Sequence, residues 1–231
     1  MATATTRPNE RWLLGRYDYP LIHRVIEVVV VTVFVGFAVP FAWQVGVGLI
    51  ERWQWWHLLS LVIVVSAAYA IADLVSGVVH FAFDNLGSPQ TPVIGQKFVR
   101  PFRDHHDDPT AMTHGDLIAV NGDNVLASLF LLVPASFLLD ARRHPIAGTC
   151  VLTFIAGVIA TNQIHKWCHT PDVPRWVRTA QRAGLILSPA HHDVHHRAPF
   201  RNHYCITWGH VDVLLDRLTR RARFAGRPER G

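Results

Sequence analysis

Four histidines fall within six positions in the stretch Ser188-Pro189-Ala190-His191-His192-Asp193-Val194-His195-His196. If the stretch is helical, residues three and four apart share a face. His191 then points with His195, and His192 faces both His195 and His196. Imidazole is neutral near pH 7 and is a common nitrogen ligand for iron, copper and zinc. Two adjacent His pairs one turn apart can serve two metal ions or one crowded one. An expression tag would sit at a terminus without interruption by Asp193 and Val194, and more structured sequence follows here.

Further clusters precede it: His80 alone, His105-His106, and His165 with His169 at helical i, i+4 spacing; His114, His203 and His210 lie near them. A catalytic zinc takes about three protein ligands plus water, so the nine histidines 80, 105, 106, 165, 169, 191, 192, 195 and 196 exceed one zinc site. A bis-histidine haem would need its ligands inside membrane spans, whereas these clusters sit at span ends and in loops. Soluble di-iron bundles use Glu with Glu-x-x-His, a pattern missing from this sequence. Two irons in an all-nitrogen cage fit the count best. Activating O2 beside a lipid chain, they would take hydrogen from an unactivated C–H bond, and spacing alone does not separate desaturation from hydroxylation. Asp73, about two turns before His80 on the same helix face, is an acid inside an apolar block and by default functional. It would accept a hydrogen bond from a ligand imidazole and fix its tautomer, or make a packing contact with Ser76 or Tyr69.

The elements that must carry these groups are apolar. Half of the 231 residues are hydrophobic, concentrated in blocks at about 22–50, 58–83, 125–139 and 146–164. A span needs about 20 such residues; the third block is short, and Pro40 is expected to kink the first. Trp53, Trp55 and Trp56 between the first two blocks suit an interfacial belt. Four spans place both termini and the polar 84–123 loop on one side. That side holds Lys97, Arg100, Arg103, the arginines of the amino-terminal lead and twelve Lys/Arg from Lys166 onward; the other holds only Arg52, Arg142 and Arg143. The positive-inside rule makes the first side cytoplasmic, and every histidine cluster falls there. The expected fold is all-α: an integral membrane bundle of about four transmembrane helices with a cytoplasmic His-rich di-metal cap. Its parts are a lead (1–21), a membrane-embedded domain (22–210) and a basic tail (211–231) that touches anionic lipid through Arg217, Arg220, Arg221 and Arg223.

A net charge of +5 could suggest nucleic acid, but the apolar blocks exclude that class. Cys150, Cys168 and Cys205 are odd in number without a C-x-x-C pair, so they imply no disulfide framework or zinc ribbon. The first twenty residues lack the short apolar region and cleavage site of a removable signal peptide.

Six pieces of sequence, DLVSGVVHFAFDNLGSP (73–89), RPFRDHHDDPTAMT (100–113), NGDN (121–124), TNQIHKWCHT (161–170), PRWVRTAQRAGLILSPAHHDVHH (174–196) and HYCITWG (203–209), jointly resemble the lipid desaturase family. That family includes animal plasmanylethanolamine desaturases, bacterial CarF-type proteins and a plant plastid desaturase of phosphatidylglycerol. The resemblance implies two irons held by His80, His105, His106, His165, His169, His191, His192, His195 and His196. It implies O2-dependent introduction of a double bond into an alkyl or acyl chain of a glycerophospholipid near the head group, with a cytochrome b5- or ferredoxin-type electron donor. Asp73 matches the family's span aspartate, Asn121 and Asn124 its loop asparagines, and Asn162 joins them as a possible support to the ligands. His114 is displaced by one position from one branch's pattern, and both it and His203 stay outside the ligand set. Vinyl-ether formation and acyl desaturation both remain open. The rival readings are a di-iron hydroxylase and a non-catalytic metal-binding membrane protein.

Overall fold

A computed structural model describes residues 21–219; the polar lead and the tail arginines Arg220, Arg221 and Arg223 lie outside them. The regular structure of the described residues is all helical, without a strand. Four helices are long and apolar enough to cross a membrane: α1 (Leu21–Glu51), α2 (His57–Asn85), α4 (Leu117–Leu138) and α5 (Pro145–Cys168). Short helices fill the connections and the carboxy-terminal third: α3 (Arg100–Asp107), α6 (Arg175–Arg182), α7 (Pro189–His195) and α8 (Asp212–Thr219). Val28, Val29, Val35 and Val39 of α1 and Leu58, Leu59, Val62 and Ile63 of α2 are exposed. Such a surface is a liability in water and ordinary against acyl chains. Pro40 lies inside α1, which remains one helix.

The chain divides into two compact units, residues 21–72 with 111–163 and residues 73–110 with 164–219. In the first, α1 lies along α4, and Phe41, Val45, Leu132, Ala141 and Ile155 form a buried core. The third span begins eight residues earlier than its hydropathy suggests, at Leu117 rather than Val125. Asp116 sets that start: its carboxylate accepts from the Ile118 and Ala119 amides at 3.1 and 2.9 Å, satisfying amides a helix leaves open. The same carboxylate pairs with Arg24 of α1 at 2.8 Å. The polar residues that follow are used between helices. Asn124 donates to the Val158 carbonyl of α5 at 2.8 Å, and Asn162 of α5 donates to the Val120 carbonyl of α4 at 3.0 Å. Asn121 donates to Leu117 one turn earlier. Interhelical bonds of this kind contribute about 0.6 kcal/mol each inside a bilayer. These three side chains thus join α4 to α5 or bond within α4, where the sequence suggested support for metal ligands.

In the second unit, one face of α2 clamps the segment around 204–211. Asp73 is fully buried, and its carboxylate accepts from the backbone N–H groups of Thr207, Trp208, Gly209 and Val211 at 2.7–3.4 Å. One turn on, the Ser76 hydroxyl accepts from the Ile206 amide at 3.1 Å. Gly77 makes the close approach possible, since a Cβ there would stand 2.6 Å from the Cys205 sulfur. Gly209 adopts φ +85°, which turns its amide onto both Asp73 oxygens and favours glycine. Tyr204, Cys205 and Leu215 pack with Leu74 and Phe81 into a second apolar cluster.

Candidate metal centre

Four helical segments of the second unit deliver the donors. The last turns of α2 carry His80 and Asp84, α3 carries His105 and His106, the end of α5 carries His165 with His169 just beyond it, and α7 carries His192 and His195 with His196 at its C-cap. The α7 start is fixed by Pro189 in its first turn and by the Ser188 hydroxyl, which accepts from the His191 amide at 3.3 Å. Adjacent helical residues diverge by about 100°, so the pairs His105-His106 and His195-His196 each split between two groups of donor atoms. One group comprises His105, His165, His169, His192 and His196; the other comprises His80, Asp84, His106 and His195. Within each, the donor atoms all lie within 4.8 Å of one another. The groups adjoin, with ring centroids 5.2 Å apart between His106 and His196.

The donor set fits cations better than hydrogen bonds. In the first group His165 Nε2 lies 3.0 Å from His105 Nε2, 2.8 Å from His192 Nε2 and 3.3 Å from His169 Nε2. A ring nitrogen carries one proton or one lone pair, so it cannot satisfy three nitrogens at once. In the second group, His80 Nδ1 faces the Tyr204 carbonyl at 3.0 Å and His195 Nδ1 faces the Asn202 carbonyl at 2.8 Å. A carbonyl only accepts, so Nδ1 carries a proton in both rings, and each ring in its neutral form presents its Nε2 lone pair. Those lone pairs face the Asp84 carboxylate at 3.6 and 3.3 Å. Lone pair against lone pair is repulsive without a cation between them. Backbone carbonyls that fix a ligand's tautomer in this way are typical supports of metal-bound histidine.

Burial favours the neutral form of His105, His169, His192 and His196. Desolvation, reinforced by neighbouring histidines, pushes His105 and His192 well below the usual imidazole value, His169 to about 4 and His196 to about 3. Acid is therefore expected to destabilise the metal-free protein. Between about pH 6.5 and the lowered folded values the unfolded chain binds protons that the folded chain refuses, so stability is full above 6.5 and declines as pH falls toward 4. Melting temperature measured from pH 8 to pH 4 checks this, and a flat profile would contradict it.

The donors His80, His105, His106, His165, His169, His192, His195 and His196 converge as the spacing suggested. His191 does not join them. On a helix, positions 192, 195 and 196 span an arc of about 100°, and position 191 lies about 40° beyond it. The His191 ring turns instead to Asp212 of α8, with Nε2 and Oδ2 2.8 Å apart. Asp73, expected beside a ligand imidazole, clamps backbone instead. It acts on the site indirectly, through the segment whose Tyr204 carbonyl orients His80. Asp84 is the donor missed from sequence. Its signal was present: it follows His80 by four residues, the spacing that puts two side chains on one helix face.

The chain's relatives carry related names. Residues 69–222 match the lipid desaturase domain model. Plasmanylethanolamine desaturase 1 of Mus musculus is 39% identical over 176 residues, covering 73% of this chain and 64% of the mouse protein. Plasmanylethanolamine desaturase of Myxococcus xanthus is 41% identical over 161 residues, covering 69% and 56%. The chloroplastic fatty acid desaturase 4 of Arabidopsis thaliana is 36% identical over 154 residues, covering 65% and 46%. The chain thus spans between about half and two thirds of the length of these relatives. No solved structure matches it. The matched segment contains every donor of both groups, together with the Asp73 clamp that seats one of them, and on that match the chain belongs to the lipid desaturase family.

Proposed function

We propose that the protein is a membrane di-iron desaturase that introduces a double bond into an alkyl or acyl chain of a glycerophospholipid. The observation that carries this reading is the pair of adjoining donor groups, eight histidines and one aspartate, within a desaturase-family chain. Iron bound in both groups would supply the oxidising power to remove two hydrogen atoms from neighbouring carbons. In balance, O2, two electrons and two protons enter, two waters leave, and one C–C bond becomes C=C. The electrons come from a cytochrome b5- or ferredoxin-type donor. The protein's own contribution is to keep imidazoles neutral by burial, fix the His80 and His195 tautomers, and limit water around the oxidising centre: His80, His192 and His195 are all buried. The distribution of Lys and Arg supports cytoplasmic termini and a cytoplasmic metal centre, within a catalytic domain over residues 22–210. The higher identities to the two plasmanylethanolamine desaturases favour an ether-linked alkyl chain as the first substrate to supply.

Lipid mass spectrometry on cells expressing the chain, fed alkyl and acyl phospholipids, tests the reading against His192→Ala/His196→Ala. A phospholipid chain lighter by two hydrogens, absent in the variant, is the expected result, and acid lability of the product identifies a vinyl ether. A gain of one oxygen would make the protein a hydroxylase. Unchanged lipids, with iron bound and a competent donor present, would refute catalysis on these substrates.

A further inference from the structure

Two arginines remain that the metal chemistry does not use. Arg178 and Arg182 stand four residues apart on α6, hence on one helix face, and both line a cleft of about 490 Å³. Among the described residues neither guanidinium has an ion-pair or hydrogen-bond partner. Gln181, between them, lines the same cleft; it is only 7% exposed, and its Nε2 has no partner. A buried amide nitrogen without an acceptor is costly, and two unpaired guanidiniums flanking it make a donor set for an anion. The cleft's other walls are mixed, with Trp167 and Val173 apolar and Ser188 polar. Trp176 and Leu185, 62% and 63% exposed, flank the arginines with apolar surface, as in a helix lying at the level of lipid head groups.

The position of the cleft matters as much as its chemistry. Pro189 and Ala190 line it, and they also line a second cleft of about 400 Å³, whose walls include His169, His192 and His196 of the five-histidine group. An anion held at Arg178 and Arg182 would therefore lie beside the opening to the metal donors, separated from it by the first turn of α7. We propose that Arg178, Arg182 and Gln181 form the phosphate-binding site for the glycerophospholipid substrate. The site determines which bond reacts, because a held phosphate leaves the carbons nearest the glycerol to enter the neighbouring cleft first. The proposal rests on the desaturase reading for the identity of the lipid, but the phosphate site itself is testable without turnover.

The experiment uses the full, metal-loaded protein in detergent, without O2 or electron donor, and measures binding of three probes: dihexanoylphosphatidylethanolamine below its micelle concentration, dihexanoylglycerol, and inorganic phosphate. The wild type is expected to bind the phospholipid at least about tenfold more tightly than the phosphate-free glyceride. Arg178→Gln/Arg182→Gln should erase that difference while metal content and melting temperature stay unchanged. Arg178→Lys/Arg182→Lys should keep part of it, and Arg178→Gln alone provides the same comparison if the double variant folds poorly. In turnover, KM should rise about tenfold with kcat nearly retained, the mark of lost uniform binding. Equal phospholipid affinity in wild type and glutamine variants would overturn the proposal. So would inorganic phosphate binding more tightly than the phospholipid, which would assign the cleft to free phosphate. Failure of desaturation with this binding pattern intact would count against the enzyme reading alone.

Discussion

His165→Ala is expected to abolish metal-dependent stabilisation and to lower desaturation by at least ~10²-fold, more than the loss of a supporting residue around a metal ligand costs. His165 is buried at the centre of its group, and its Nε2 faces those of His105, His169 and His192. No other ring in the group can take its place without moving a helix. A metal at about a hundred times its dissociation constant stabilises the folded state by about 2.7 kcal/mol, and that increment should vanish in the variant. In the metal-free protein the effect should be smaller, because removing one ring also relieves the crowding of nitrogen lone pairs. The comparison to make is metal content and melting temperature, with and without added iron, for wild type, His165→Ala and His57→Ala. His57 is a useful control, since its Nδ1 accepts from the Gln54 amide at the start of α2, away from both donor groups in sequence and in unit. Iron-dependent stabilisation that survives in His165→Ala would refute the five-histidine group as a metal site.

The four spans and eight of the donors are legible in the sequence because hydropathy and helical spacing report one element at a time. The remainder depends on what faces an element from elsewhere. Hydropathy dates the third span from Val125, since Asn121, Asp123 and Asn124 look like loop; an Asp116 cap and reciprocal asparagine bonds keep them helical. The HH-x-x-HH stretch reads as four equivalent ligands, yet a helix cannot aim four such positions at two adjoining centres, and His191 turns to Asp212. Asp84 falls outside any ligand set defined by imidazole nitrogen alone. A carboxylate at i+4 from a ligand histidine carries the same geometric information, and here it joins His80, His106 and His195 in a group unlike the all-imidazole one beside it. Gln181 gives no signal in sequence at all, since only the fold shows that its amide is enclosed and unpaired.

Asp73→Ala is expected to cost about 4 kcal/mol or more of stability and to weaken metal binding by about 10–100-fold, although Asp73 belongs to neither donor group. Its carboxylate is the acceptor for four backbone amides between Thr207 and Val211. Each buried amide left without an acceptor costs about 1–3 kcal/mol, and alanine supplies none. The lost clamp also frees the segment that presents the Tyr204 carbonyl to His80 Nδ1. With that carbonyl displaced, the His80 proton is no longer fixed on Nδ1, and the lone pair facing Asp84 is no longer assured. Asp73→Asn should fall between the two, because its amide keeps one accepting oxygen but turns an NH2 group toward amides that also donate. Ser76→Ala removes one neighbouring acceptor, for the Ile206 amide, and should cost only about 1–3 kcal/mol. The order Ala, Asn, wild type in melting temperature, with iron affinity following the same order, distinguishes this clamp from a direct contact with substrate. A direct role would instead remove activity while leaving melting temperature and iron affinity near wild type.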